Sequence, residues 1–545
     1  MTIIPEIKSD RAAWPDLLHS RQRAVLEKIL PAYIRQRRWF GGKAYKIRGV
    51  KISSVLPTGE NSMPLVLINV GYTNRRPQIY ILPLAWRPCP AADRIPAAWP
   101  GAAIAWLELS GKRGLLYDAT HDKVFHAALL ALFFKKHGPS AAREGLTAEQ
   151  PEGPGRAALL KTARVRASRI ITAEQSNTSI VYGSAFFAKL FRRLEKGINP
   201  DTEIGRRLTA GADFRAIPPF MGAIYLNRGG RFYGVVGLLQ GYLPNRGDSW
   251  KYAAGQLAGY YERVLAGLPK GAPAPAAPDI FSFGPAPVPY AISRLIGAGC
   301  FEKISLLGRR TAQMHLALSR AGTDPDFCPE PFTRGSQRAA HRAMAALAAG
   351  TLRLLERRFR VLPAAARPAA ALVLKNKPIL MKVLQGLAAH KISAMKIRTH
   401  GDLHLGQVLF TGRDFVMIDF EGEPSRSLAE RRLKNSALRD VAGMLRSFHY
   451  AAWAPVYIKG TAAAGQIKAV APWAELWYSG ISYVFLQAYF ETCAGSVFIP
   501  RDRAQAAALL RVFLIEKAIY ELSYELNNRP HWVRIPLQGL LRLLS

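Results

Sequence analysis

The stretch THGDLHLGQVLF, Thr399–Phe410, sets two histidines, an aspartate and a glutamine close together, from His400 to Gln407, and leads on to VMIDFEGEP, Val416–Pro424. The run Val416–Ile418 reads as a short apolar strand that delivers Asp419 at its end, one turn and one strand pair downstream of Asp402 and Gln407. A catalytic loop followed by a hairpin needs such a spacing. In phosphoryl transfer one carboxylate accepts the proton of the attacking hydroxyl, while an amide-bearing residue and a second carboxylate hold magnesium on the phosphates. Asp402, Gln407 and Asp419 fit those three jobs, and the side-chain carbonyl of Gln407 offers magnesium the oxygen ligand it prefers.

Working outward, the same chemistry needs a cation on the nucleotide phosphates, held by a carboxylate on a neighbouring helix. Lys189 in AFFAKLF falls on a predicted strand, and Glu203 follows it on a helix opening at Asn199-Pro200-Asp201. There Asn suits the N-cap, Pro the first turn, and Asp201 complements the helix dipole. Ahead of the pair, EQSNTSIVYG, Glu174–Gly183, offers Ser176, Asn177 and Thr178, whose backbone N–H groups would cover phosphates from a hairpin turn. This loop matches neither the P-loop nor the Rossmann pattern. His400 and His404, at i and i+4, also suggest a metal pair, but HExxH is absent. His400 is therefore read as orienting the loop, His404 as packing below it, and Asp440 in LRDVAGML as structural support near a helix start.

Bulk properties bound the rest. A chain of 545 residues exceeds one hydrophobic core, and 49% hydrophobic with 21% charged residues is a globular balance. No long unbroken apolar run occurs, and MTIIPEIKSDRAAW does not resemble a secretory signal, so a cytoplasmic protein with no membrane association is expected. Four scattered cysteines without CxxC argue against zinc knuckles and disulfide scaffolds. The net charge of +37, from 75 Lys+Arg against 38 Asp+Glu, suggests an anionic partner or substrate. It is spread in clusters such as RQRR, FRRLEK and LERRFR, without a recognised nucleic-acid motif, so nucleic acid is not the expected partner.

Strands are expected across Val50–Leu84 after an opening helix, and a helix over His126–His137. REGLTAEQPEGPG reads as a flexible loop, with a boundary near residue 160. A second β-rich stretch turns at YGS, and a strand pair follows at GAIYLNRGGRFYGVVGLLQGYL. From Lys251 the pattern is mostly helical, broken by the Pro/Ala-rich LPKGAPAPAAPDIFSFGPAPVP, with helices resuming at QRAAHRAMAALAAGTLRLLERRF.

THGDLHLGQVL with IDFEGEPSRSLAERRLKNSALRDVAGMLRSF resembles the maltokinase family, aminoglycoside-phosphotransferase-like enzymes related to protein kinases. EQSNTSIVYG, AKLFRRLEKGINPDTEIGRRL, LLQGYLPNRGDSW and RRWFGGK are similar to the same family. The resemblance implies an α+β, bilobal protein-kinase-like fold. It comprises a β-rich N-terminal cap over 1–95, an intermediate region and nucleotide-binding lobe over 96–245 with its core from about 165, and a helical C-lobe over 246–545. It implies ATP- and Mg2+-dependent phosphorylation of maltose at its anomeric hydroxyl, giving maltose 1-phosphate for α-glucan synthesis. Asp402 would be the base, Gln407 and Asp419 the magnesium ligands, and Lys189 with Glu203 the phosphate anchor. Gln240 to Leu243 would form a hinge whose backbone meets adenine, and Glu421 would either assist the metal or serve structure. Trehalose synthase, to which such domains are fused or bound, is the implied protein partner. Two positions depart from the pattern: His449 stands where an acidic residue is expected, and Gly241 where a larger polar one is.

Near the C-terminus, EKAIYELSYELNNRP sets Lys517, Tyr520, Glu521, Tyr524 and Glu525 on one helical face. Such a face suits a neutral sugar, whose hydroxyls need fixed donors and acceptors while tyrosine covers the apolar ring. An exposed charge pair beside ordinary tyrosines reads equally well without the resemblance. Three rivals remain: an antibiotic phosphotransferase, whose polycationic substrates would want an acidic cleft, a non-catalytic accessory domain of trehalose synthase, and a nucleic-acid-binding protein.

Overall fold

The computed structural model describes residues 4–11, 13–59, 63–134, 144–150, 167–171, 176–211, 214–267, 273–282, 288–320, 324–389, 391–458 and 464–544. Two compact units emerge, Met1–Arg206 with Pro218–Pro244, and Arg207–Ile217 with Asn245–Ser545.

In the first unit the strands Ile47–Leu56, Leu65–Tyr72 and Gln78–Pro88 pair antiparallel, following their β-branched runs. The middle strand is almost continuously apolar because it is buried on both faces. Leu65 and Leu67 point into a core with Phe125 and Leu129, whereas Val66, Ile68 and Val70 point into another with Leu26 and Leu30. The latter two belong to the helix Arg23–Arg35, which buries Leu26, Leu30, Tyr33 and Ile34 on one stripe. Arg193–Leu194 adds to this sheet against Tyr80 and Ile79.

A second sheet of the same unit runs, in spatial order, Glu144–Glu149, Phe220–Arg228, Arg231–Gly241, Phe186–Leu190, Thr178–Tyr182 and Ser168–Ile171. Its first strand corrects the expected loop at REGLTAEQPEGPG. Glu, Gly and Ala disfavour strands locally, but pairing of Leu146 with Leu226 and Ala148 with Ile224 overrides that preference. The expected boundary near residue 160, and Glu174 and Gln175, lie outside the described residues. The hairpin between the strands Thr178–Tyr182 and Phe186–Leu190 turns at Gly183, at φ 55°.

The helix Pro200–Ala210 follows, capped by Asn199, whose Oδ1 accepts from the Asp201 N–H at 2.8 Å. Asn199→Ala is expected to cost about 1 kcal/mol, read as a lower urea midpoint at unchanged slope. An unmoved midpoint would show that this cap contributes nothing.

The second unit is mainly helical. Helices resume at Tyr290–Ile296 and Ala298–Ser319, earlier than expected. The buried stripe of the latter interleaves Gly308, Thr311 and His315 with Ile304, Leu307 and Met314, which hides its apolar period. Further on, Val408–Phe410 and Phe415–Met417 form the expected antiparallel hairpin after the loop 399–407. The long helices Leu438–Tyr457 and Arg503–Asn528 pack on one another beside it. Among the described residues no helix is long and apolar enough to cross a membrane.

Candidate active site

In the first unit, Lys189 lies in the strand Phe186–Leu190, and its Nζ is 2.7 Å from Asp201 Oδ2, with both side chains buried. Glu203, the expected partner, is buried on the same first helical turn. The Asp201 carboxylate, which sequence reasoning assigned to the helix dipole, is therefore a direct partner of the lysine. Of the expected phosphate-covering residues, Ser176 is exposed and Asn177 buried. Thr178 is committed inward, its Oγ1 accepting from Arg192 Nε at 2.7 Å. That buried guanidinium also donates to Asp118 Oδ2 at 2.9 Å and Thr120 Oγ1 at 3.0 Å, and lies over the Trp39 ring.

Gln240 sits buried at the end of the strand Arg231–Gly241, opposite Phe187. Just beyond, the N–H groups of Gly241 and Tyr242 donate to Pro219 and Ala185 carbonyls at 2.8 and 2.9 Å. Leu243 is the second residue after that strand. Gly241 has a steric reason: a Cβ there would meet Pro219 Cδ at 3.2 Å, so a larger residue would press on the proline.

In the second unit the loop 399–407 is held from beneath by one carboxylate. Asp440, near the start of the helix Leu438–Tyr457, accepts from the N–H groups of His400 at 2.7 Å and Gly401 at 2.9 Å. His315 Nε2 lies 3.1 Å from the same carboxylate, with Tyr489 Oη at 2.9 Å from its Nδ1. Burial raises the Asp440 pKa, but hydrogen bonding and charge from His315, then His400 and the Gly401 N–H, more than offset it, and the net shift is downward. Gly401 takes φ 84°, a conformation open to glycine. Gly443 lets the loop approach the helix, since a Cβ there would meet the Leu403 carbonyl at 2.5 Å.

His400 bridges the loop to the hairpin. Its Nε2 lies 2.9 Å from the Ile418 carbonyl, its Nδ1 accepts from the Asp402 N–H at 3.4 Å, and its ring packs on Phe420. The imidazole is thus the Nε2–H tautomer on this network. His404 caps the short turn Leu405–Gln407, its Nδ1 accepting from the Gly406 N–H at 3.0 Å.

Asp402 faces Lys517 of the helix Arg503–Asn528 at 3.1 Å, and His404 Nε2 at 4.0 Å. Burial alone would raise its carboxyl, but the Lys517 ammonium holds it below the usual carboxylate range. Beyond the hairpin, Gln407 Nε2 donates to Asp419 Oδ2 at 2.9 Å. Asp419 itself is one of two described non-glycine residues at positive φ, at 65°, a strained backbone that aims its carboxylate at Gln407. Carboxylate oxygens of Asp419 and Glu421 lie within 4.8 Å of each other. A carboxamide and two carboxylates so gathered are an oxygen-rich donor set that suits magnesium.

Beside Asp402 opens a pocket of about 80 Å³. Part of its wall is the stretch after Asp419, including Gly422, Glu423, Arg426, Glu430, Arg431, Asn435 and Arg439, and Glu516, Lys517 and Tyr520 close it. Glu423 pairs with Arg426 at 2.8 Å and Glu516 with Arg439, so acceptors and donors alternate around it. Lys517 and Tyr520 line it; Glu521, Tyr524 and Glu525 do not. Glu521 is turned to the buried Arg446 at 2.7 Å, and Glu525 to Arg529 and Tyr450 at 2.7 and 3.1 Å. Tyr524 is exposed. One stripe of a helix is wide enough to serve both a pocket and a neighbouring helix, so periodicity alone had merged two faces.

His449 bears on this division. It is fully buried between Tyr478 and Trp453, and burial followed by the charges of Arg446 and Arg542 pushes its pKa well below the ordinary value. With a neutral ring there instead of an acid, the charge of Arg446 is met by Glu521.

Against known proteins, residues 33–122 match the maltokinase N-terminal cap domain. The chain carries a maltokinase-type cap. Glucosamine kinase of Streptacidiphilus jiangxiensis is 24% identical over 389 residues, covering 71% of this chain and 76% of that one. Glucosamine kinase of Mycolicibacterium smegmatis (strain ATCC 700084 / mc(2)155) is 25% identical over 387 residues, covering 70% and 80%. A glucosamine kinase crystal structure superimposes with TM-score 0.59 at 19% identity, over 98% of this chain and 99% of the other. Another, in complex with glucosamine, ADP and inorganic phosphate, gives 0.56 at 19% identity over 94% and 99%. The chain thus has the α+β fold of the glucosamine kinase structures, with residues 33–122 matching the maltokinase cap.

Proposed function

We propose that this maltokinase-like protein is an ATP-dependent sugar kinase that phosphorylates the anomeric hydroxyl of maltose, releasing maltose 1-phosphate and ADP. One observation carries the choice of sugar. Gly422 to Asp440, within one of the stretches that resemble maltokinases, supply part of the wall of the pocket beside Asp402.

In this reading the maltose ring lies among Glu423, Arg426, Arg439, Glu516 and Tyr520, and its anomeric hydroxyl hands its proton to Asp402 as the phosphoryl group arrives. Asp402 stays ionised and receptive because Lys517 stabilises its negative form. Lys189, held by Asp201, anchors nucleotide phosphates, with Glu203 on the same helical turn and Ser176 to Thr178 covering them by backbone N–H groups. The backbone of Gln240 to Leu243 meets adenine. Gln407 and Asp419, with Glu421 adjacent, hold Mg2+. The ion, when bound, neutralises charge on the transferring phosphates. Association with trehalose synthase belongs to the same reading.

A second reading is glucosamine as substrate, supported by the likeness to two glucosamine kinases over 71% and 70% of this chain.

Purified protein with ATP and Mg2+ is expected to release ADP when maltose is added and to consume its reducing end. Turnover of glucosamine without maltose would replace the first reading by the second. ADP release with neither sugar, nor with glucose or an aminoglycoside, would remove the kinase reading itself.

A further inference from the structure

We propose that the outer face of the helices Arg367–Lys375 and Lys377–Ala389 docks on an anionic lipid surface. The inference is independent of which sugar is phosphorylated.

Between positions 331 and 396 stand thirteen Lys or Arg and one acidic residue, Glu356, against a ratio of about two to one, 75 to 38, in the whole chain. The excess is therefore local, not a uniform basic composition. Arg338, Arg342, Arg353 and Arg357 form an exposed stripe along the helix Arg334–Arg358, which packs against Lys377–Ala389. Among the described residues, none of these four arginines, nor Lys375, Lys377 or Lys382, takes part in an ion pair. Their charge is left to act outward.

The second feature decides the occupant. Twelve large hydrophobic residues are exposed among those described, and three of them, Val361 at 77%, Leu372 at 50% and Ile379 at 48%, fall inside this basic segment. The fold does not require them on that side, because Ala370, Val373, Leu380, Leu384 and Leu387 already fill the inner stripe. The Asn376 N–H donates to the Leu372 carbonyl and the Leu380 N–H to the Asn376 carbonyl, so the two helices run nearly end to end. Leu372, Lys375, Ile379 and Lys382 then recur at helical spacing on the exposed side.

Aliphatic side chains flanked by lysines are the pattern of a helix lying in a membrane interface. The aliphatics enter the acyl boundary while the ammonium groups reach the headgroups on their long stems. A nucleic acid would reward the lysines but not the leucine and isoleucine, and the face carries no aromatic ring on which a base could stack. A second copy of the chain would bring like charge against like.

The test is co-sedimentation of the full chain with vesicles of phosphatidylcholine, alone or mixed with phosphatidylglycerol. Binding to the mixed vesicles only, released by salt, is expected. Combining Lys375→Glu, Lys377→Glu and Lys382→Glu should weaken it by more than about tenfold. Leu372→Ser with Ile379→Ser should weaken it several-fold while leaving ADP release and the circular-dichroism melt as in the parent. Should the charge-reversed protein fail to fold, the corresponding Gln substitutions carry the same expectation at smaller size. Absence of binding to mixed vesicles would overturn the proposal. So would an unchanged affinity in the Leu372/Ile379 variant, or tighter capture of a short RNA duplex unaffected by that variant.

Discussion

Asp402→Asn is expected to bind ATP as the parent does and to turn over sugar between about a hundredfold and ten-thousandfold more slowly, the usual worth of a positioned general base. The substitution keeps the shape of the side chain and removes only its capacity to take a proton and its charge. The loop around it is fastened by other groups, the Asp440 carboxylate and the His400 bridge to the Ile418 carbonyl, so the backbone should stay in place. Lys517 would lose its ionic partner, and the variant would test base and ion pair together. Lys517→Met separates them: it leaves the carboxylate but removes the charge that keeps its pKa low. An Asp402→Asn protein with near-normal turnover would sink the assignment of the base.

That pairing marks where sequence legibility ended. Asp402, Gln407 and Asp419 were readable together because one loop and one hairpin join them in a single short segment, and the hairpin pairs Val408 with Met417. The groups that set the electrostatics come from far away in the chain. Lys517 is 115 residues from Asp402, and His315 is 125 from Asp440. No local period announces such contacts; they follow from how helices pack. The helix opening at Asn199 was legible from its cap, yet that Asp201 on its first turn also reaches Lys189, at 2.7 Å, depends on the angle at which the helix leaves the sheet. Glu144–Glu149 was misread for the opposite reason, since its local preference is weak and a neighbouring strand decides it.

The sugar face shows a third limit. Periodicity correctly put Lys517, Tyr520, Glu521, Tyr524 and Glu525 along one side of a helix, but a helix side has no fixed neighbour. Lys517 and Tyr520 reach the pocket, while Glu521 answers the buried Arg446. An acid at position 449 would stand one turn along from Arg446 on the same helix, a placement suited to pairing.

Asp440→Ala is expected to be among the most destabilising single changes in the second unit, at about 3–5 kcal/mol, because it strips acceptors from buried donors that nothing else can reach. The His400 and Gly401 N–H groups and the His315 ring converge on this one carboxylate, which is almost wholly buried. Asn is a poor substitute, since its amide nitrogen would face a second donor. The carboxylate also ties stability to pH with a definite sign. Its folded pKa lies below the ordinary value, so its contribution is fully present above the unfolded carboxylate pKa of about 3.9 and fades as the pH falls through that value towards the folded one. The Ala variant should therefore unfold at lower urea concentration at neutral pH, by tryptophan fluorescence, and lose less further stability than the parent on acidification below pH about 4. Equal urea midpoints at neutral pH would mean that the loop carrying Asp402 is held by the His400 bridge alone. Equal acid sensitivity of parent and variant would mean that Asp440 does not bind its proton more weakly when folded.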